Sequence, residues 1–332
     1  MKNIARIGAI AIFVTFIFVF VEVYLFLNTA PTSEREERIF MVESGAPFFR
    51  IAKQLKSNGL ITHDLKFYFL ARWKGSSHKI KAGEYLLYTN LKPADILDML
   101  VSGRTYLHRV TVPEGFNMFQ IADVLSSLSL VPKTDFIRAV QDRDLLQKFN
   151  ISGPSAEGYL FPESYYFSKP VTAEKVVETM IQRFQENYTE EIAFKAKKKG
   201  LGQKEVVILA SLIEKETGIA EERRLISAVF HNRLKRGMKL QSDPTVIYGI
   251  YETFSGNLSR QHLRTPTPYN TYVQDGFPLG PIANPGKASL EAAADPMPVD
   301  YIYFVSRNDG SHHFSNNYRD HVNAVNRYQK KR

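Results

Sequence analysis

The polarity pattern opens with a long apolar block. After a short basic stretch at 1–6, residues 7–21 are apolar apart from Gly8 and Thr15; Glu22 interrupts, and residues 23–27 resume. About twenty helical residues cross the hydrocarbon of a bilayer, so residues 7–27 are long enough to span it. Lys2 and Arg6 precede the block, and mixed charge follows it at Glu34, Arg35, Glu36, Glu37 and Arg38. The positive-inside rule then predicts a single-pass anchor within 1–28, with its N-terminus in the cytoplasm and residues 30–332 outside. A cleaved signal peptide is the competing reading. Its apolar core is usually shorter, and Asn28-Thr29-Ala30 is a poor cleavage site.

Residues 29–38 are polar and read as a linker. Beyond them the pattern echoes itself. Val42-Glu-Ser-Gly45-Ala-Pro-Phe-Phe49-Arg-Ile51-Ala52-Lys-Gln-Leu55 aligns, seventy residues on, with Val112-Pro-Glu-Gly115-Phe-Asn-Met-Phe119-Gln-Ile121-Ala122-Asp-Val-Leu125, and six of fourteen positions are identical. Each copy closes a β-like run (39–42 and 106–112), turns at glycine and starts an amphipathic helix. Between the copies, 81–88 predicts a strand, and 93–101 predicts a helix that starts at proline and stops before Gly103. Residues 39–153 therefore form a mixed α/β region of small units. The aromatic, proline-bearing Glu157-Gly-Tyr-Leu-Phe-Pro162 marks a domain junction, with a second domain over 154–332. That domain opens with a charged helix over 173–199 and an apolar helix over 203–217. Pro- and Gly-rich loops follow, where binding and catalysis tend to sit, and then a late strand over 301–305. Taken together, the elements read as α+β.

The apolar helix, Val206-Val-Ile-Leu-Ala210-Ser-Leu-Ile213-Glu214-Lys-Glu216-Thr217, separates two glutamates by their phase. With Val206 at zero and 100° per residue, the apolar arc runs from about 200° through zero to about 40°. Glu214 falls near 80°, outside the arc, while Glu216 falls near 280°, between Leu209 and Leu212. Burial disfavours a carboxylate and raises its pKa. A carboxyl that is still protonated near neutral pH can donate a proton, as glycosidic cleavage requires. The plainer alternative is that Glu216 escapes to solvent at the helix end, or pairs with Arg223 or Arg233.

Composition narrows the field. The 332 residues are 44% hydrophobic and 23% charged, enough for two globular domains. There is no cysteine, which excludes disulfide scaffolds, thiolate zinc sites and cysteine nucleophiles. The net charge of +9 suits an anionic partner without choosing one. Nucleic acid is not expected, because the basic run at 195–199 lacks interleaved aromatics. No His-Glu-x-x-His, nucleophile elbow or phosphate loop is present, so neither metal nor cofactor is expected.

Ala210-Ser-Leu-Ile-Glu-Lys-Glu216-Thr217 resembles the helix that carries the catalytic glutamate in the YceG-like family, the membrane-bound endolytic murein transglycosylases. Further motifs agree in order: Phe230-His-Asn-Arg-Leu234, Gln241-Ser-Asp243-Pro-Thr-Val-Ile-Tyr-Gly249, Thr267-Pro-Tyr269-Asn270-Thr271-Tyr272, Gly276-Phe-Pro-Leu-Gly-Pro281-Ile282-Ala-Asn284-Pro-Gly286, Tyr301-Ile-Tyr-Phe-Val305 and His312-His-Phe-Ser315. The resemblance implies a transmembrane span, a LysM-like region before the catalytic domain, and Glu216 as the catalytic residue. It also implies cleavage between N-acetylmuramic acid and N-acetylglucosamine within peptidoglycan strands, leaving 1,6-anhydro ends. By the same resemblance the protein sits in the inner membrane with its catalytic domain outside the cytoplasm. There it terminates glycan growth, with peptidoglycan synthases as candidate partners.

The residues leave further candidates beside Glu216. Gln241, Asp243, Tyr248, Tyr269, Asn270, Thr271, Tyr272 and Asn284 are candidate glycan contacts, the tyrosines because they stack on sugars while offering a hydroxyl. Asp243 before Pro244 also fits an ordinary helix start, with Asp as the N-cap. A hydrolytic muramidase would need a second carboxylate, Asp243 or Glu163. A non-enzymatic peptidoglycan-binding scaffold is the remaining alternative.

Overall fold

In the computed structural model, which describes residues 2–330 (side chains at position 10 and from 12 onward), the N-terminal block is one helix, α1 (Lys2–Asn28). Most of its described apolar side chains, Phe13, Phe16 and Phe20 among them, are exposed. Among the described residues no helix is long and apolar enough to cross a membrane. The expected span 7–27 begins on residues whose side chains lie outside the described set.

The chain divides into two units. One comprises the chain up to His108 together with Tyr166–Pro170; the other is Arg109–Tyr165 together with the chain from Val171. In the first unit, β1 (Glu37–Val42) is followed by α2 (Phe48–Ser57), α3 (Asp64–Trp73), β2 (Gly83–Tyr88) and α4 (Pro93–Ser102). β1 and β2 pair antiparallel, Glu37 opposite Tyr88 and Val42 opposite Gly83. The alternation of strand side chains turns Phe40, Val42, Tyr85 and Leu87 inward, against Ile51 and Leu55 of α2, Phe67 of α3 and Ile96, Leu97 and Leu100 of α4. Phe26, near the end of α1, joins this core. α4 starts at proline and ends at Gly103, whose φ of +72° is left-handed, as read from the sequence. The expected linker is corrected at its end: Thr89 holds the backbone of Glu34 and Glu36 at 2.7 and 3.1 Å, so the strand pairing begins at Glu37.

The second unit carries α5 (Met118–Ser127), α6 (Lys133–Val140), α7 (Arg143–Lys148), α8 (Ala173–Asn187), α9 (Glu190–Lys198), α10 (Gln203–Glu216), α11 (Arg223–Lys235), α12 (Asp243–Gly249), α13 (Arg260–Arg264) and α14 (Lys287–Ala294). Strands β3 (His108–Thr111) and β4 (Ser164–Phe167) straddle the division, and β5 (Tyr303–Ser306) pairs antiparallel with β6 (His312–Ser315) before α15 (Tyr318–Tyr328). Two expectations change. The boundary expected at 153/154 falls at 108/109, because α5 packs on α6 and α6 on α8; the second copy of the echo thus belongs with the larger unit. The single helix expected over 173–199 is two: Thr189 caps α9 by accepting from the Ile192 amide, and Glu190 and Glu191 fill its first turn, a helix-start signature in mid-segment.

α10 lies at the centre of this unit, against α9, α11, α12 and α14. Every residue from Val206 to Ile213 is buried, Val207 and Ser211 included, so the apolar arc drawn from periodicity understates the burial. The small side chains of Ala292, Ala293 and Ala294 suit α14 to pack against it. Each large aliphatic side chain removed from water here contributes about 1.5–3 kcal/mol.

Candidate active site

α10 ends where its buried stretch ends. At its start the Glu205 carboxylate accepts from the Gly202 amide at 3.0 Å; at its end Thr217 turns extended, leaving Glu216 as the last helical residue. Glu216 keeps a part-exposed edge, and its Oε1 accepts from the Ser242 hydroxyl at 2.5 Å. Burial pushes this carboxyl up from 4.5 to about 6; the Ser242 hydroxyl pulls it down, the charge of Asp243 pushes it up, and His312 and Arg233 pull it down.

Ser242 is the N-cap of α12, yet its hydroxyl does not cap. An N-cap serine ordinarily bonds a first-turn amide, worth about 1 kcal/mol; here that hydroxyl is given to Glu216. The backbone around it is fixed by two buried threonines. The Ser242 amide donates to Thr271 Oγ1 at 3.0 Å, its carbonyl accepts from Thr245 Oγ1 at 2.6 Å, and the two threonine hydroxyls lie 2.9 Å apart. Gln241, just before, is exposed and left-handed, at φ +50°, a conformation that costs a non-glycine residue about 1 kcal/mol or more and clusters at functional sites.

Asp243 therefore begins α12 rather than capping it, which corrects the expected cap. Its Oδ1 accepts from the Tyr272 hydroxyl at 2.6 Å. Arg233 does not pair with Glu216: its buried guanidinium donates to the carbonyls of Ile302 and Leu240 at 2.8 and 2.7 Å. It still places a positive charge within reach. His312 is held by Glu222, through Nδ1 at 2.7 Å and through its own amide at 2.8 Å.

A second glutamate sits deeper. Glu157, 1% exposed, accepts from the Met118 amide (2.9 Å), the Tyr248 hydroxyl (3.0 Å) and the Asn284 carboxamide (2.7 Å). Burial pushes it up to about 7. Tyr248 faces Tyr269 edge-on, and burial raises both phenols, Tyr269 to about 12. Asn284 uses its carboxamide completely, donating also to Phe116 O and accepting from the amides of Gly158 and Leu160.

The predicted residues thus fall into two groups. Glu216, Gln241, Asp243 and Tyr272 gather around Ser242 with accessible surface. Asn270, Thr271 and Asn284 are 0% exposed, and Tyr248 is buried against Glu157. As glycan contacts these four are corrected: they brace the loops, Asn270 by donating to Thr265 O at 2.8 Å and accepting from the Tyr272 amide at 2.9 Å. Tyr269 is half-buried beside them. Glu214, expected outside the apolar arc, accepts from the Gly286 amide at 2.9 Å. Sequence reasoning missed Ser242, the Glu222–His312 pair and the burial of Glu157; it named Arg233, but as an ion-pair partner of Glu216 rather than as a buried clamp on two carbonyls. Among the described residues no group of three His, Cys, Asp or Glu side chains could hold a metal ion.

The sequence pattern of the YceG-like family matches residues 40–327. The chain belongs to the YceG-like family. Among its relatives, the endolytic murein transglycosylase of Bacillus subtilis is 33% identical over 303 residues, covering 86% of this chain and 83% of the relative. The endolytic murein transglycosylase of Streptococcus pneumoniae is 30% identical over 316 residues, covering 86% of this chain but 57% of that longer protein. A crystal structure of a YceG-like protein from Listeria monocytogenes aligns over 87% of this chain and 99% of its own, with a TM-score of 0.60 at 29% identity. The YceG-like fold is accordingly a mixed helix and sheet, α+β, architecture.

Proposed function

We propose that this YceG-like chain is an endolytic lytic transglycosylase, cleaving peptidoglycan between N-acetylmuramic acid and N-acetylglucosamine within the strand. The observation that carries the reading is Glu216: a carboxyl with an acidity near 6, part-open at the end of a buried helix. A group of that acidity is poised both to give and to take a proton near neutral pH. Glu216 protonates the departing oxygen as the glycosidic bond breaks. The C6 hydroxyl of the muramic residue attacks its own C1, and the Glu216 carboxylate then takes the hydroxyl proton, leaving a 1,6-anhydro end with no water consumed.

A single carboxyl suffices because the nucleophile is already attached to the substrate, at high effective concentration. Hydrolysis would need a second carboxylate to activate water. Glu163 is unsuited to that task, since both its oxygens are bound by Arg183. Asp243, close enough to Glu216 to raise its pKa, keeps hydrolysis as the second reading. Mass spectrometry of digested sacculi separates the outcomes. Anhydro ends support the transglycosylase, reducing ends support hydrolysis through Asp243, and intact sacculi support a binding scaffold.

The reading extends to location. α1, with most of its described apolar side chains exposed and with Lys2 and Arg6 in its first two turns, serves as a single-pass anchor in the cell (inner) membrane, the rest of the chain lying outside the cytoplasm. Residues 39–153 include a LysM-like, glycan-holding region. An enzyme so placed cuts strands as they emerge and ends their elongation, which makes membrane-bound peptidoglycan synthases its natural partners. Protease accessibility of the 30–332 part in spheroplasts tests the topology: digestion from outside is expected, and protection excludes it.

A further inference from the structure

The first unit presents an apolar surface that the catalytic reading does not use. On α3, Leu65, Phe69 and Trp73 are 58%, 66% and 82% exposed, spaced at i, i+4 and i+8. With Leu65 at zero, they occupy a stripe from zero to about 80°, while the buried Phe67, Leu70 and Ala71 lie near 200°, 140° and 240°. The helix is therefore apolar on two opposite faces. One faces the core and the other faces out. Arg72 at about 340° and Lys66 at about 100° flank the outer stripe. Scattered exposed apolar residues are ordinary; a continuous stripe with cationic edges is the pattern of a helix lying in a bilayer interface.

A groove of about 540 Å³ runs between this stripe and the last turns of α1, lined by Phe20, Val23 and Tyr24 on one side and Phe69 and Trp73 on the other. Its lining is almost wholly apolar, with Lys66 the charged member, and Lys66 bonds Glu22 of α1 at 2.6 Å. That ion pair ties the two helices together and partners the carboxylate of α1. Tyr24 and Trp73 are the residue types that settle at headgroup level. The stretch from Asp64 to Lys79 carries Lys66, Arg72, Lys74 and Lys79 against the single acid Asp64; Lys66 pairs with Glu22 and Lys74 with Asp98, so Arg72 and Lys79 carry the positive excess. Cations so placed are drawn to an anionic lipid surface.

We propose that α3 lies in the headgroup layer of the bilayer, beside the point where α1 enters it, and that the groove between them takes the acyl chain of an anionic phospholipid. The stripe continues the lipid-seeking surface of α1, so this inference rests on the anchor reading of α1 and adds a second point of attachment, which fixes how the first unit sits on the membrane surface.

Trp73 is the only tryptophan of the chain, so its fluorescence reports this one contact. The full chain is reconstituted with vesicles of phosphatidylethanolamine and phosphatidylglycerol and floated on a density gradient. In the floated fraction the Trp73 emission is expected to shift to the blue, to lose most of its intensity to brominated acyl chains, and to resist aqueous iodide. Leu65→Ser with Phe69→Ser, both exposed, is expected to leave flotation intact and to remove most of the bromolipid quenching. A floated chain whose emission stays at the fully hydrated wavelength and yields only to iodide overturns the proposal, as does unchanged quenching in the double variant. A chain that does not float overturns the anchor reading and the lipid contact together.

Discussion

Glu157 and Glu216, both in the larger unit, hold their protons more tightly than an ordinary carboxyl, and their surroundings differ in almost everything else. Glu157 is sealed, with an amide, a phenol and a carboxamide on its two oxygens. Glu216 has one hydroxyl and an edge open to solvent. A raised pKa therefore does not mark the reactive group by itself. Three donors and burial at 1% exposure leave Glu157 no open edge to offer a substrate, so its place is structural. Glu216 combines a displaced pKa with spare hydrogen-bonding capacity, and that combination is what proton transfer to a sugar oxygen needs.

The largest effect expected from this contrast is loss of cleavage in Glu216→Gln, by about 10²–10⁴-fold, with an unchanged melting temperature. Anhydro-product yield and calorimetry check it, and a normal cleavage rate in the folded variant would sink the assignment of Glu216. Glu214→Gln, which weakens one contact to the Gly286 amide, should be far milder.

Glu157→Ala should do the reverse. It strands the Met118 amide, the Tyr248 hydroxyl and the Asn284 carboxamide, at about 1–3 kcal/mol for each buried group left unpaired. The melting temperature should fall by many degrees while turnover per folded molecule largely survives. Turnover lost with full thermal stability would erase the distinction between the two residues.

The pH dependence separates them further. The native state binds the Glu157 proton more tightly than the unfolded chain does. Its contribution to stability is thus complete below about 4.5 and is lost as pH rises through about 7. Denaturant titrations at several pH values should show stability falling across that window, and Glu157→Gln should flatten most of the fall. Cleavage should decline as pH rises through about 6, where Glu216 gives up its proton.

The smallest effects concern tuning. Ser242→Ala removes a donor that favours the charged form of Glu216, so the alkaline arm of the rate profile should move to higher pH. Asp243→Asn removes a like charge and should move it lower. Shifts in the opposite directions would break this account of the site's electrostatics.

α10 was legible because its apolar residues are dense and its end carries charge. Periodicity nonetheless promised one buried face, whereas helices around it cover Val207 and Ser211 too. The distinction between Glu214 and Glu216 thus comes less from helix phase than from what each meets: a loop amide for one, a serine hydroxyl for the other. Ser242 was illegible for a physical reason. Ser-Asp-Pro reads as a helix start, which it is, and nothing local says that its hydroxyl will point at a residue 26 positions earlier. Glu157 stands in an irregular segment, where no period distinguishes inside from outside. The break before α9 was readable from Thr189-Glu190-Glu191, but the surrounding helical pattern masked it.

Asn284 has a consequence for anyone re-engineering the molecule. One carboxamide sets the register of three stretches far apart in the chain, at Phe116, at Gly158 and Leu160, and at its own loop. Adding or deleting a residue in any of them would misalign the other two. Tags, fluorescent fusions or affinity handles are better inserted in the exposed turn around Gly256, where the chain answers to no such clamp.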